Sequence, residues 1–499
     1  MSSENLGVLV TFVFYLVLLI VIGRMGEKKH SGSYKDFVSA DKSLGGLVTA
    51  ISSASSSESV WVMLGLSGLG YWKGAAALWA AAGCVAGFVF NALFVVRQLR
   101  RESERLGTVT VSDYVAARVG DHKGLLRLIS AVIITFFMLT YVVAQFNGAG
   151  DLFQGMELLG PETPYWLGVV VGAFIIGLYI VLGGYAAVCW TDTVQGVLMF
   201  LVMLGLPILA VVKAGGPGGI AETLGPTGLL SITGPEGFGW AAMGFIVGWF
   251  GIALGYPGMP HMIVRYMTVR DDNEARKAAW ISVIWATVVL FGSTTLGIAV
   301  HALAPELAAT QKEAEQMVIP YFCRLALPPL LTGVVLSAVT AAIMSTADSQ
   351  LMYAATSLIN DLWLKRRGAR PVPAAVLVRW TRVVLVLMTI IAAAVALMEV
   401  RLIFTFVLFA WGALGAAFSP IILLGLYWPR LNRWGALASL IYGPVVVIIW
   451  HLHPVLDGMI YALIPAFAVS FFGAILMSLL TGGTEGASPP PARSATRSG

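Results

Sequence analysis

Two short stretches decide how this chain folds. Residues 52–59 read SSASSSES and residues 255–261 read GYPGMPH, and each stands in the middle of a long apolar run. Hydroxyls and a carboxylate are costly at mid-membrane depth unless they line a wet cavity or bind a ligand. Paired prolines and glycines cannot continue a regular helix. Both stretches therefore predict interrupted membrane helices, with small-residue packing and a proline-kinked packing helix as the alternatives.

The composition of the whole chain is that of a membrane protein. Of its 499 residues, 58% are hydrophobic and 11% are charged, whereas about a quarter of the residues of a soluble protein are charged. Apolar runs recur along the chain at about 20 residues each, the length that a helix needs to cross a bilayer. Because helices satisfy every backbone polar group inside lipid, we predict an all-α membrane protein with many spans.

The apolar runs and their charged breaks predict about 13 transmembrane helices. If the N-terminus is outside, the cytoplasmic stretches hold every one of the 31 Lys and Arg residues except Lys73, Lys213, Lys312, Arg324 and Arg401. This bias follows the positive-inside rule and predicts an outer N-terminus and an inner C-terminus. The predicted spans are 6–24, 45–72, 75–97, 126–150, 164–189, 193–213, 238–267, 277–304, 327–360, 376–399, 402–428, 435–452 and 458–480.

The second and seventh of these spans contain the two interruptions. They are five spans apart and cross the membrane in opposite directions. Interrupted helices at equivalent places in two inverted halves are typical of the binding site of a secondary transporter. The pattern therefore indicates a transporter and places its site where the two interruptions meet.

A third polar stretch, AIMSTADS at 342–349, lies within the ninth span. The adjacent hydroxyls of Ser345 and Thr346 and the carboxylate of Asp348 are hard oxygen ligands, of the kind that an alkali cation needs. Hydroxyls alone are weak support, because Ser and Thr often bond back to their own helix. The carboxylate favours a cation site, while pairing of Asp348 with a basic residue or contact with cytoplasmic water is the alternative.

Other classes of function are not indicated. Cys84, Cys189 and Cys323 are scattered, and neither they nor the histidines show a metal-binding spacing. No nucleophile–base pair or nucleotide loop is present, so we expect neither an enzyme nor an organic cofactor. Since the basic residues lie in loops beside spans, the net charge of +5 predicts no nucleic-acid partner. A membrane sensory module is a further alternative, but only residues 481–499 follow the last span and we expect no output domain there.

Five longer stretches carry a resemblance to a known family. They are LTYVVAQFNGAGDLF at 139–153, TDTVQG at 191–196, GYPGMPHMIVRYM at 255–267, LSAVTAAIMSTADSQLM at 336–352 and WGALGAAFSPIILL at 411–424. On these stretches the chain resembles the sodium/solute symporter family, and within it most closely the bacterial sodium/proline symporters. The resemblance runs through the predicted spans in order and without large insertions.

The resemblance implies a leucine-transporter-like fold with a 5+5 inverted repeat. The first helix and its cytoplasmic loop would occupy 1–44, and two C-terminal helices would occupy 429–480. The repeats would be 45–213 and 238–428, and 481–499 would be a disordered cytoplasmic tail.

The resemblance also implies two binding sites. A sodium ion would bind between the second and ninth spans, to the carbonyls of Ser55, Glu58 and Ala342 and the hydroxyls of Ser345 and Thr346. A proline-like solute would bind to the residues that match the pocket of the family and to two neighbours, namely Tyr141, Tyr256, Pro260, Ser59 and Trp61.

Three positions depart from the pattern of the sodium/proline symporters. Those proteins have an aspartate where this chain has Ser57, so that the acid comes one residue later, as Glu58. They have a tryptophan where this chain has Ile252. They have a serine where this chain has Asp348. The first two departures weaken the assignment to proline, and the third favours cation binding.

Some family members bind a second sodium ion. The matching residues here are Ser345, Asp348 and Ser349, together with Asp192, an acid that the family uses near its sodium pathway. We expect Asp192 near the cytoplasmic end of the fifth span, on the inward side of the first ion. These four residues are the predicted second cation site.

The expected function is secondary active transport by alternating access. Sodium would drive symport of a small organic solute, with proline or a related amino acid as the first candidate. Such a protein is a multi-pass protein of the bacterial inner membrane, in contact with lipid and with no obligate protein partner. The alternative is a sodium- or proton-coupled carrier of a sugar, monocarboxylate or vitamin, because Glu58 or Asp348 could bind protons if desolvated.

Overall fold

The computed structural model describes residues 3–27, 33–160, 162–235, 237–307, 314–364, 372–399 and 403–482. In these ranges the regular elements are helices, joined by turns and two isolated β-bridges. Within the described ranges, eleven helical segments are long and apolar enough to cross a membrane. The prediction of an all-α membrane protein is confirmed. The predicted tail lies almost wholly outside the described residues.

The count of about 13 spans stays a prediction. One apolar segment, Trp61–Leu106, has 46 residues, and at about 1.5 Å per residue it is much longer than one crossing of a bilayer core of about 30 Å requires. Tyr165–Leu178 is a shorter apolar helix. Trp61–Leu106 overlaps two predicted spans, 45–72 and 75–97, and Tyr165–Leu178 lies within the predicted span 164–189.

The helices before residue 236 include the first interruption. They are α1 (Ser3–Glu27), α2 (Tyr34–Ser39), α3 (Gly46–Ser57), α4 (Ser67–Lys73), α5 (Leu78–Phe90), α6 (Val96–Leu106), α7 (Val111–Arg118), α8 (Leu125–Gly155), α9 (Tyr165–Lys213) and α10 (Gly216–Leu224). Short π-helical or 3-10 turns connect several of them, at Ala40–Lys42, Trp61–Leu66, Gly74–Ala77, Asn91–Val95 and Gly225–Thr227.

The helices after residue 236 include the second interruption. They are α11 (Trp240–Phe250), α12 (Pro260–Met267), α13 (Asp272–Leu303), α14 (Ala314–Ala326), α15 (Pro329–Ser357), α16 (Ala374–Ala396), α17 (Ile403–Tyr427), α18 (Arg433–Leu452), α19 (Pro454–Met459) and α20 (Leu463–Leu480). A 3-10 turn at Gly251–Gly258 joins α11 to α12, and a π-helical turn at Leu358–Leu364 extends α15.

The first interruption follows α3. The helix ends at Ser57, and Glu58 leaves the helical region with φ −90° and ψ 80°. The backbone groups of this break find partners elsewhere, as buried polar groups must. Gln145 Oε1 accepts from the N–H of Val60 at 3.2 Å, and Ser293 Oγ donates to the carbonyl of Val62 at 2.6 Å. The prediction of a break in this span is confirmed.

The second interruption lies between α11 and α12. Met259 is extended, with φ −73° and ψ 104°, and Pro260 opens the new helix, where its missing N–H costs nothing. Three carbonyls of the 3-10 turn accept hydrogen bonds from side chains of other elements. The donors are Trp411 Nε1 to Ile252 at 3.3 Å, Ser419 Oγ to Gly255 at 3.2 Å and Asn91 Nδ2 to Tyr256 at 3.0 Å.

The boundary between the fifth and sixth predicted spans is wrong. We expect a break at 190–192, but α9 continues through these residues and bends at Gly184, which has φ 64° and ψ −177°. Only glycine adopts this conformation readily, and a Cβ there would lie 2.8 Å from the ring of Phe37. Asp192 therefore lies inside a helix beyond the bend and not at the end of the fifth span.

Helix α15 lies at the centre of the molecule. Each side chain from Val335 to Ser357 is buried, and α15 packs against α1, α8 and α9. In contrast, α1 turns Phe14 outward, 69% exposed, as suits a helix with one face in lipid. A polar stretch on α15 is therefore surrounded by protein and can build a site.

Candidate functional site

The hydroxyls of α15 meet the end of α3 at the first interruption. Ser345 Oγ donates to the carbonyl of Ser55 at 3.0 Å and to that of Ala342 at 3.4 Å. Thr346 Oγ1 donates to the carbonyl of Ser56 at 3.1 Å. Four of the five residues predicted to bind sodium are thus brought together, and Ser56 joins them. A cluster of buried neutral oxygens is the ligand set that suits an alkali cation.

Glu58, the fifth residue of that set, directs its carboxylate away from α15. Tyr256 Oη and Ser57 Oγ each donate to Glu58 Oε1 at 3.1 Å. The side chain is 1% exposed. Its carboxylate thus faces the second interruption, and the role of its carbonyl as a sodium ligand stays a prediction.

A small cavity of about 10 Å³, roughly the room that one water molecule needs, lies between the two interruptions. Three of the five residues predicted to bind the solute line it, namely Trp61, Tyr141 and Tyr256. Ser59 does not line the cavity, but its hydroxyl lies 3.2 Å from Tyr141 Oη. Pro260 does not line the cavity either. The complete lining is Ser57, Glu58, Trp61, Cys84, Tyr141, Ile252, Tyr256, Val407, Leu408 and Trp411.

The sequence analysis did not place four of the lining residues at a site, namely Cys84, Val407, Leu408 and Trp411. Trp411 stacks edge-on against Tyr256 with ring centroids 4.8 Å apart, and Cys84 is a free, buried thiol. Trp411 is the first residue of the stretch WGALGAAFSPIILL, which carries the family resemblance. That stretch could therefore have pointed to Trp411 as a candidate site residue. Cys84 lies in an ordinary apolar run and had no such signal.

Two of the three departures from the sodium/proline symporters meet in this cavity. Ser57 and Ile252 both line it. The carboxylate of Glu58 also faces it, so the shift of the acid by one residue leaves a carboxylate in the wall. These positions are therefore placed to alter which solute is bound.

A second polar cluster joins α3, α9, α12 and α15. Arg265 Nη2 lies 2.8 Å from Asp192 Oδ2 and donates to Ser349 Oγ at 2.5 Å. Arg265 Nε donates to Ser52 Oγ at 2.7 Å, and Ser52 Oγ donates to Asp192 Oδ2 at 2.7 Å. Ser349 Oγ also contacts Asp348 Oδ1 at 3.1 Å. Asp192, Asp348 and Ser349 of the predicted second cation site are thus brought together, whereas Ser345 bonds toward Ser55.

Arg265 corrects the expectation that the basic residues lie in loops. We counted it with the cytoplasmic stretch after the seventh span, but it lies within α12 and is 1% exposed. Hydropathy could not reveal this, because a lone arginine at the end of an apolar run resembles the start of a loop. No group of three or more His, Cys, Asp or Glu side chains suited to a metal ion occurs within the described ranges.

Comparisons with known proteins agree with this architecture. Among solved structures, a sodium-coupled sialic acid symporter in a substrate-bound outward-open state superimposes with a TM-score of 0.79 at 16% identity, over 96% of this chain and 98% of that one. MhsT in complex with L-phenylalanine superimposes with a TM-score of 0.55 at 14% identity, over 87% and 98%. The chain therefore shares the fold of these two solved proteins, with two interrupted helices around a small cavity.

The family is shown by sequence. The model of the Sodium:solute symporter family matches residues 37–443, and the chain belongs to this family. The high-affinity proline transporter PutP of Bacillus subtilis is 33% identical over 471 residues, 93% of this chain and 96% of the relative. The osmoregulated proline transporter OpuE of the same organism is 32% identical over 485 residues, 96% and 95%. A sodium/proline symporter of Staphylococcus aureus is 32% identical over 492 residues, 96% and 94%. The chain is a sodium-coupled symporter, a multi-pass protein of the bacterial plasma membrane.

Proposed function

We propose that this symporter carries proline or a closely related small amino acid, together with sodium, by alternating access. The proposal rests on the position of the break after α3. This break lies between the predicted sodium site and the cavity predicted to bind the solute. The carbonyls of Ser55 and Ser56 face the hydroxyls of α15, while Ser57 and Glu58 line the cavity. An ion and a solute would therefore bind on two sides of one four-residue segment.

This shared segment gives a physical basis for coupling. A sodium ion held by Ser55, Ala342, Ser345 and Thr346 would order the end of α3. Ordering that end would fix Ser57 and Glu58, which line the solute cavity, so that each ligand would favour the binding of the other. Thermodynamic linkage requires this effect to be reciprocal.

Glu58 supports an amino acid over a sugar or a monocarboxylate. Its buried carboxylate receives hydrogen bonds from the neutral hydroxyls of Ser57 and Tyr256, and the described residues place no basic side chain in the cavity lining. A buried carboxylate is costly without a cation, and an ammonium group among aromatic rings would supply one. A monocarboxylate would instead be repelled. We therefore assign the ammonium group of the solute to Glu58.

The wider architecture is part of the same proposal. We propose about 13 spans with an outer N-terminus, inverted repeats at 45–213 and 238–428, and two further helices at 429–480. The support is that interruptions occur in both proposed repeats and that the fold matches a sodium-coupled symporter over 96% of the chain. Transport, and neither catalysis nor sensing, is the proposed activity.

Uptake of [³H]proline by proteoliposomes tests the proposal. An inward sodium gradient should drive accumulation at fixed pH, and an equal potassium gradient should not. Uptake driven only by a proton gradient would favour the proton-coupled alternative. If proline is not taken up, a thermal-shift screen of amino acids, sugars and carboxylates with and without sodium identifies the solute, because a ligand stabilises the fold to which it binds.

A further inference from the structure

A groove on the outer surface of the helical bundle lies between α9 and α16. Its volume is about 570 Å³, which is within the roughly 300–1,000 Å³ of small-molecule sites. It shares no lining residue with the cavity between the two interruptions. The lining positions on α16 recur every three or four residues and therefore form one stripe along that helix. The complete lining is Val181 of α9 and Ala375, Val378, Arg379, Arg382, Val383, Val386 and Leu387 of α16.

The groove is basic toward the start of α16 and apolar farther along it. Val383, Val386 and Leu387 are 38–54% exposed, and because α16 is apolar enough to cross a membrane, these side chains face lipid. From the first lining residue of α16 to the last, the stripe is about 18 Å long. The apolar core of a bilayer is about 30 Å thick. The groove therefore has about the length of one leaflet, with its two arginines near one end of the helix.

The two guanidiniums lie where lipid headgroups are expected. Arg382 is partly buried, with Cζ 5.9 Å from the ring centroid of Phe37 on α2, while Arg379 is exposed. Trp380, next to Arg379 in the chain, is 49% exposed, and such tryptophans are typical of the membrane–water interface. In the part of the chain that the structure describes, no acidic side chain lines the groove. The groove thus offers positive charge at headgroup depth and an apolar channel beneath it.

We propose that this groove binds one anionic phospholipid, with its phosphate at Arg379 and Arg382 and an acyl chain along Val383, Val386 and Leu387. Guanidiniums bind phosphate through paired, charge-assisted hydrogen bonds, and basic pockets between membrane helices bind anionic headgroups. A zwitterionic lipid gains less, because its own cationic group is repelled by the arginines. With the proposed outer N-terminus, the lipid belongs to the inner leaflet. The site is independent of the identity of the solute.

A lipid in this groove connects three elements. Helix α16 packs against α9 and α2. The ring of Phe37 lies under Arg382 and also faces the bend of α9, where a Cβ on Gly184 would lie 2.8 Å from it. A headgroup at Arg382 therefore lies beside the contact of α2 with the bend. Because a ligand that binds the folded state stabilises it, the lipid should raise the unfolding temperature.

Lipid binding to the purified full-length protein tests the proposal. Delipidated protein in detergent is titrated with phosphatidylglycerol or with phosphatidylcholine. Native mass spectrometry gives the affinity for each lipid, and thermal unfolding gives the stabilisation. For the wild type we expect phosphatidylglycerol to bind about tenfold more tightly than phosphatidylcholine, and to raise the unfolding temperature by more.

Two variants test the headgroup and the acyl chain separately. Arg379→Gln should lower the affinity for phosphatidylglycerol about tenfold, whereas Arg430→Gln should not change it, because Arg430 is an exposed arginine outside the groove. Val386→Trp retains both arginines but fills the groove, and it should also lower this affinity. Both test positions are exposed, so we expect both variants to fold.

Three results overturn the proposal. Equal affinity of the wild type for the two lipids would show that headgroup charge is not recognised. Equal effects of Arg379→Gln and Arg430→Gln would show a diffuse attraction of anionic lipid to a basic face of the protein. Unchanged affinity in the folded Val386→Trp protein would show that no acyl chain occupies the groove. If one variant does not fold, the wild type and the other variant decide by the same criteria.

Discussion

Ser345 and Thr346 are the side chains on which sodium binding should depend most. Replacing both with alanine removes two oxygen ligands and leaves the backbone of α15 intact. Hydrogen bonds to charged groups contribute about 1.5–3 kcal/mol each, and about 1.4 kcal/mol corresponds to a tenfold change in affinity. We expect the sodium concentration for half-maximal uptake to rise about a hundredfold or more, as measured by sodium titration of initial uptake rates.

Ser337→Ala is a matched control for this double variant. Ser337 is buried on the same helix two turns earlier, and its hydroxyl donates to the carbonyl of Gly333 on its own helix at 2.7 Å. Its replacement should leave the sodium titration unchanged. An unchanged sodium titration in the folded Ser345→Ala, Thr346→Ala protein would remove these residues from the site.

Glu58 provides the second prediction at the scale of single residues. Glu58→Gln keeps the size of the side chain and an oxygen that can accept from Ser57 and Tyr256, but it removes the negative charge. Loss of a charge-assisted contact with the solute's ammonium group should raise the KM for proline about tenfold to a hundredfold. The sodium concentration for half-maximal uptake should change much less, because the carboxylate faces away from α15.

Two fragments of proline test the same assignment by competition. Pyrrolidine retains the ammonium group and should inhibit proline uptake by the wild type, whereas cyclopentanecarboxylate lacks it and should not. In the Glu58→Gln protein, the difference between inhibition by pyrrolidine and inhibition by cyclopentanecarboxylate should be smaller. Inhibition of the wild type by cyclopentanecarboxylate alone would contradict the role given to Glu58. Glu104→Gln, a change at an exposed side chain, is the control for loss of a carboxylate.

At the scale of elements, the bend of α9 depends on Gly184. Alanine there would be forced into a backbone region that costs about 1–3 kcal/mol for non-glycine residues, and its Cβ would approach the ring of Phe37. Gly184→Ala should therefore lower the thermal unfolding temperature in detergent. Gly205→Ala on the same helix is the control, since a Cβ at that position meets nothing within 4 Å and alanine favours helix.

An equal unfolding temperature for Gly184→Ala and Gly205→Ala would show that a glycine at the bend is not required for stability.

The interruptions and the bend differ in how far the sequence could predict them. The interruptions at Glu58 and at Met259 follow from local chemistry, because the residues beside them cannot continue an apolar helix. The bend at Gly184 could not be predicted in this way, since Gly183 and Gly184 resemble other glycines of apolar spans, and the contact with Phe37 comes from a distant element.

At the scale of the whole molecule, the orientation in the membrane is open to direct test. Cysteines Cys84, Cys189 and Cys323 are buried, so they should react little with a membrane-impermeant maleimide. His122→Cys places a new thiol in the turn before α8, and Thr223→Cys places one on the short helix α10, both at exposed positions. With an outer N-terminus, intact cells should be labelled at residue 223 and not at residue 122. The reverse pattern would contradict the predicted orientation, and permeabilised cells provide the control in which both positions react.

Much of this architecture could be predicted from the chain alone. Apolar runs and backbone chemistry determine that the protein spans the membrane as helices, because each unsatisfied polar group is costly in lipid. The polar stretches at 52–59 and 342–349 mark positions where we predict that ligand binding offsets that cost. These properties are local, and each depends on residues that are close in sequence.

Only the tertiary structure decided which groups face one another. Ser345 meets the carbonyl of Ser55 although 290 positions separate them, and Arg265 pairs with Asp192 across 73 positions. Hydropathy and spacing describe the neighbours of a residue along the chain and contain no information about contacts between distant helices. For that reason the burial of Arg265 and the direction of the Glu58 carboxylate became visible only when the helices were packed together.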